Sequence, residues 1–466
     1  MAAQSVRDQA GPVKRLASLV GGGVTIAALQ VLAGCGGHEL RTIQARTALD
    51  AGQPRQAIEH INKELGVKTD KDMPADLAGD NALLVLDRGT IQQSLTQFDG
   101  SKNDLQASDK AIDMLDLAHN AGDSIGEYVF SGSSGRYVAP PYEKLLINTL
   151  NMINYLETGD LSGAKVEARR LSVMQRYIRD EIKEPNNSIL GLGGFLAGFV
   201  YEKSGDADEA LRYYDDALQF TGFGLLAPAV RELAPRATFK SERITKALAE
   251  AESNAPAEPA APAEDGGDVI CVVGYGRVPH KIPKRVPIGL ALTMVSHIVH
   301  PHNLAAAQRL AAQGLVTWIN YPTLAPEQGG YAVPTCTIDG KPIPMTEAVN
   351  VSAEVTTEWR KIEGQIILSA ITRMVARLLV GAGIKKAGGD SGWATLASLG
   401  TQATLVALDT PDTRSWETLP ARVAIGRVRV APGRHTVSAS ARGVSRTQPI
   451  DVKSGGYGAV SLQALR

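Results

Sequence analysis

The spacing of apolar residues divides the chain into two stretches with different periods. From Glu39 to about Leu248 the core positions recur every three or four residues, as in Leu145, Leu146, Thr149, Ile153 and Leu156, which predicts helices with one buried stripe. Three short segments punctuate that stretch in the same way: Gly52 to Ala57, Gly159 to Ala164 and Gly205 to Ala210. In each, Gly ends one helix in the left-handed conformation, a polar residue caps the next, and Ala one turn later permits close approach. Thr96 to Ser101 is a degraded fourth copy. The pattern predicts successive antiparallel helix pairs, interrupted by a Gly/Ser-rich loop from His119 to Pro141.

Beyond Val269 the period shortens. Val269 to Tyr275 and Leu315 to Asn320 read as strands, and Thr335 to Ile338 with the turn Asp339-Gly340 reads as a hairpin. Glu354 to about Lys386 returns to helix, with Trp359, Ile362, Ile366, Ile371, Val375 and Leu378 on one broad face, and a Gly-rich stretch runs on to Gly400. In the tail, Val437, Ala439 and Ala441 alternate with Ser438 and Ser440, as in a strand with one wet face. From Ala421 to Val430 the apolar parity switches at Gly426, which predicts a bulge. Strands near Ile450 and Val460 complete the expectation of a small β-sandwich. Between the two stretches, NAPAEPAAPAEDGG at 254–267 predicts a linker. The expected fold class is α+β multidomain: a solenoid of helical hairpins, then a mixed α/β region ending in the sandwich.

Charge changes this picture. The 466 residues carry a net charge of −1, but residues 36–268 hold 24 basic against 37 acidic side chains while residues 269–466 hold 21 against 11. Either the two halves dock through opposite charge, or the basic half faces an anionic partner such as peptidoglycan or lipid phosphates.

Arg7, Lys14 and Arg15 precede an apolar run from Leu16 to Gly34, the layout of a secretory signal. LAGC at 32–35 closes it and resembles the bacterial lipobox. The resemblance implies that Cys35 carries lipid on its sulfur, becomes the first mature residue and is acylated again on its amino group. Two or more acyl chains hold a protein stably on a bilayer. An uncleaved transmembrane anchor is the alternative, weakened by Gly21 to Gly23 and Gln30. Gly36 stands where an Asp would favour inner-membrane retention, so the expected address is the outer membrane, facing the periplasm. That address removes the opportunity for nucleic acid. The expected domains are a signal peptide at 1–34, a lipidated helical domain at 35–253, the linker at 254–267 and an α+β domain at 268–466. Cys271 and Cys336 are the other cysteines, and in an oxidising compartment they either pair or are buried separately.

The helical stretch resembles tetratricopeptide repeats, most clearly in FLAGFVYEKSGDADEALRYYDDAL at 195–218. There Phe199, Tyr201, Ala210, Tyr213, Tyr214 and Ala217 fall on the repeat's packing positions. Copies lie 44, 63 and 46 residues apart, so the repeats are irregular. In the tail, APGRHTVSASARG at 431–443 resembles PEGA-type surface domains. With DTRSWETLP at 412–420 and YLETGDLSGAKVEARR at 155–170, the whole chain resembles a family of bacterial envelope lipoproteins that has no assigned biochemical activity. The resemblance implies a scaffold rather than a reaction.

Two clusters are candidate sites besides Cys35. Arg169, Arg170 and Arg176 with Tyr177 form a basic group that either meets a partner or pairs with Glu167, Asp180 and neighbouring acidic helices. In the second, Trp416 is suited to plug a seam between helices and sandwich while Asp412 and Arg414 pair, a ligand pocket being the alternative. His280, His297, His300 and His302 match no zinc motif, VVGYG at 272–276 lacks the rest of a dinucleotide fingerprint, and no G-x-S-x-G occurs. Neither metal nor cofactor is expected. The expected function is a non-enzymatic, outer-membrane-anchored scaffold for envelope proteins. A peptidoglycan or polysaccharide binding module is the alternative, and an unrecognised hydrolase the second alternative.

Overall fold

The computed structural model describes residues 37–77, 80–116, 137, 139–180, 188–253, 266–297, 318–381 and 410–466. Cys35 and its signal, nearly all of the interrupting loop, most of the linker, the Gly-rich stretch, His300 and His302 lie outside the described residues.

The fold is mixed α/β, with twelve helices and ten strands among the described residues. Four helix pairs come first: α1 (His38–Asp50) with α2 (Pro54–Leu65), α3 (Asp80–Ser94) with α4 (Phe98–Asp116), α5 (Pro141–Glu157) with α6 (Leu161–Asp180), and α7 (Ile189–Lys203) with α8 (Ala207–Ala217). Gly52, Gly159 and Gly205 turn their pairs at φ of 72°, 74° and 82°, the conformation a side chain disfavours. The degraded copy makes the same turn with Thr96 at φ 58°. Asp160 and Asp206 cap the following helices by accepting from the amides of Gly163 and Glu209. At Gly198 a Cβ would lie 2.5 Å from the Tyr214 ring, so only glycine lets α7 and α8 close. Two further helices, α9 (Phe223–Leu233) and α10 (Glu242–Ser253), complete the helical half. Its centre is α3 and α5, buried on nearly every side.

The second half begins with β1 (Gly267–Tyr275), β2 (Lys281–Pro287), α11 (Ile288–Met294) and β3 (Trp318–Leu324). Then come β4 (Thr335–Ile338), β5 (Lys341–Ile343), β6 (Thr346–Asn350) and α12 (Val351–Gly381), and the tail holds β7 (Arg422–Val430), β8 (Gly433–Ala441), β9 (Val444–Val452) and β10 (Tyr457–Ala464). One four-stranded sheet runs β10-β1-β7-β6, another runs β5-β4-β8-β9, and β2 pairs with β3 alone. Asp339 and Gly340, both at positive φ, join β4 to β5 as an Asp-Gly hairpin turn should. The ribbon β2-β3 packs with α11 and α12 in a satellite core that includes Tyr321, Trp359, Ile366 and Ile371.

The first sheet is buried on both faces, which corrects two expectations. Ile270, Val272, Val423 and Ile425 pack into the helical core, while Val269, Cys271 and Val273 face Val437, Ala439 and Ile450 of the second sheet. No bulge forms between β7 and β1 at Gly426: the ladder runs unbroken, with Gly426 opposite Cys271. Apolar residues of both parities are needed because the strand serves two cores. The register shifts instead between Glu347 and Val349 of β6. Nor do the tail strands close on themselves, since β7 and β10 join β1 and β6 while β8 and β9 belong to the other sheet. β10 pairs with β1 in parallel, and the next residue, Leu465, packs among Ala48, Ile61 and Leu84 of the first three helices.

Opposite charge joins the halves. Arg446 grips Glu157 through both guanidinium ends, Arg427 holds Glu202 and, at 3.0 Å, Asp268, and Arg429 reaches Glu232 at 2.7 Å. Lys203 also binds Asp268, and Arg277 binds Asp50. Among the described residues no helix is long and apolar enough to cross a membrane.

Candidate functional site

The segment from Pro411 to Pro420 has no regular structure, yet it is buried almost throughout between α1, α3, α5 and the first sheet. A buried loop must find partners for its backbone, and here carboxylates from the helices supply them. Glu143 of α5 accepts from the Trp416 amide at 3.0 Å and Asp87 of α3 from the Thr418 amide at 2.9 Å and its hydroxyl at 2.8 Å. The Trp416 indole, 1 % exposed, donates to Thr90 Oγ1 at 3.1 Å. Arg414 forks onto Asp412 at 2.8 and 2.6 Å, and the Arg414 amide bonds the same carboxylate. Thr413 receives the Glu39 amide, so α1 is tied to the segment as well.

Ionisable groups crowd this seam. Glu417 is buried and paired through Oε2 with Arg46, which Thr42 and Glu39 also hold. Its other oxygen, Oε1, has no partner among the described residues. Burial, with the Glu417 charge beside it, pushes Asp87 up to about 7. Burial also raises Glu143, against the opposing bonds from Trp416 and Tyr137. Burial opposes ionisation of His38, yet Asp80, Glu417 and Asp87 together raise its pKa. The His38 ring stands 3.9 Å from Asp80, too far for a hydrogen bond but within reach of its charge.

Beside Glu417 the seam opens into a cleft of about 60 Å³, lined by Arg46, Asp50, Arg277, His280, Glu417, Arg442 and Arg466 among others. This holds a few waters or one small anionic group. Burial and the charges of Arg46 and Arg277 lower His280 to about 4, so its ring is neutral at physiological pH. Arg442 is steadied by the Gly330 carbonyl at 3.0 Å and by the Tyr331 ring. Arg46 and Arg277 are already paired with Glu417 and Asp50 of the same cleft, which leaves Arg442 and Arg466 as its guanidinium groups without a carboxylate side-chain partner among the described residues. Among the described residues no group of three His, Cys, Asp or Glu could hold a metal ion.

The structure separates the sequence candidates. Asp412, Arg414 and Trp416 are together in the seam, with the indole between helices and sheet. Arg170 is bound to Glu167 at 3.4 Å and Asp109 at 3.3 Å. Arg169 and Arg176 are exposed on α6, and Arg176 bonds the Ser172 carbonyl of its own helix. Tyr177 is half-buried. With Val166 and Val173, at 40 % and 58 % exposure, Arg169 and Arg176 form one solvent-facing stripe at helical spacing. Sequence reasoning missed Asp87, Glu143, Glu417, Arg46 and His38. A signal existed for two of them: Asp87 and Glu143 interrupt otherwise apolar helical runs. Comparison of the chain with protein-family models and with curated proteins finds no match.

Proposed function

We propose that this chain is an outer-membrane-anchored periplasmic lipoprotein that serves as a protein-interaction scaffold in envelope assembly or its regulation. The helix pairs are read as an irregular tetratricopeptide-like solenoid and the stacked sheets as a β-sandwich bound to its side. The observation that carries the reading is the stripe of Val166, Arg169, Val173 and Arg176 on α6. Exposed valines alternating with exposed arginines suit an acidic, amphipathic partner segment. Anchoring supports it: α1 starts three residues after Cys35 and is bonded into the seam through Glu39 and Arg46. Lipid on Cys35 would hold the whole helical half close to the bilayer rather than on a tether.

A photo-cross-linking residue at Val173 tests this in cells. The expected result is a discrete adduct with one envelope protein, lost in Arg169→Glu/Arg176→Glu and displaced from the membrane fraction in Cys35→Ala. No adduct, or one indifferent to charge reversal, removes the reading. Arg442 and Arg466 at the cleft favour a second reading, recognition of an anionic cell-wall polymer. Failure to co-sediment with purified peptidoglycan at low salt would end that one.

A further inference from the structure

Cys271 lies in the middle of β1 on the face turned towards the second sheet, and Cys336 lies in β4 on the face turned back. Register places them at matching points. Cys271 is opposite Gly426 of β7, and Cys336 is opposite Ile343 of β5. A Cβ on Gly426 would come within 2.8 Å of Ile343 Cγ2 and 2.6 Å of Met345 Sδ, so the bare glycine brings the sheets together at this level. Both thiols are buried in the core between the sheets, close enough for each to shift the other's ionisation. In the closed fold the neighbouring Cys336 and burial raise Cys271, while the neighbouring Cys271 lowers Cys336.

We propose that Cys271 and Cys336 are a dithiol that oxidises during folding to a disulfide stapling the two sheets. The oxidant is another disulfide, either a small-molecule thiol dimer or a protein exchange catalyst. The thiolate of one cysteine attacks one of its sulfurs, forming a mixed disulfide and expelling one thiolate. The other cysteine, losing its proton, then attacks the protein sulfur of the mixed disulfide and expels the second. Two protein thiols become one S–S bond, and the oxidant leaves as two thiols carrying the two electrons and two protons. Because both sulfurs are buried in the finished fold, exchange takes place before the sheets close. The closed bond is afterwards shielded from reductants.

The test uses the full chain as Cys35→Ala, so that only this pair can react, unfolded in reductant and refolded in a mixture of oxidised and reduced glutathione. After denaturing alkylation the expected product carries no label, is about 2 Da lighter than the dithiol form, and yields one cross-linked peptide holding Cys271 and Cys336. It should unfold at a urea concentration roughly 1 M above the reduced chain. Two alkylated cysteines in the natively refolded chain, or glutathione held on either one, would overturn the proposal. In wild-type chain taken from the envelope the same cross-linked peptide is expected. Its absence there, with the bond formed in vitro, would refute oxidation in the cell and count against export rather than against the geometry.

Discussion

Arg427 and Arg176 carry the same guanidinium in opposite settings. Arg427, its side chain 6 % exposed, is clamped between Glu202 of the helical half and Asp268 of β1. Arg176 lies on the solvent face of α6, bonded only to a carbonyl of its own helix among the described residues. The first kind of arginine fastens the molecule together; the second is available to something else. The basic second half is therefore less free to meet an anion than its composition suggests, since Arg277, Arg427, Arg429 and Arg446 already meet acidic partners in the first.

The largest expected effect comes from breaking the fastening. Arg427→Ala leaves Glu202 without its guanidinium partner and Asp268 with Lys203 alone, and should cost about 3–5 kcal/mol of unfolding free energy in urea titration. A loss below about 1 kcal/mol would place Arg427 with the surface arginines.

A smaller effect follows from the titrating seam. Folded Asp87 holds its proton up to about pH 7, against 3.8 for the ordinary carboxyl. Between those values the folded chain binds more protons than the unfolded one, so stability falls as pH rises towards neutrality. His38, also raised, loses its contribution in the same direction. Asp87→Asn keeps an oxygen for Thr418 and does not titrate. Its stability relative to wild type should be about 2–3 kcal/mol more favourable at pH 8 than at pH 5, measured by urea unfolding at both. Equal differences at the two values would mean that Asp87 is ionised in both. The smallest expected effect is on α6, where Arg169→Ala/Arg176→Ala should move stability by no more than about 0.5 kcal/mol. A larger loss would show that those side chains support the fold and would weaken their assignment to a partner.

Local rules made much of this readable in advance. Gly52, Gly159 and Gly205 mark helix turns because a positive φ is needed there, and Asp339-Gly340 marks its hairpin for the same reason. Trp416 and the Asp412–Arg414 pair were legible because a tryptophan amid charged residues needs both an apolar slot and polar partners. The rest depends on distant pairings. Nothing near Gly426 signals that β7 lies between two cores, so its parity switch imitates a bulge. Asp87 and Thr418 are 331 residues apart, and no periodicity links them. On α6, Arg170 is tied to Asp109 of α4 while Arg169 and Arg176 face solvent, a division that depends on where α4 packs and that spacing alone does not carry.

The pairing of β10 with β1 has a consequence in time. Those strands are about 190 residues apart in the chain, and Leu465 packs among the first three helices. The central sheet cannot acquire its edge, nor α1 to α3 their contact with Leu465, until residues 457–465 have been delivered. A product stopped just short of Tyr457 leaves β1 uncovered along one side.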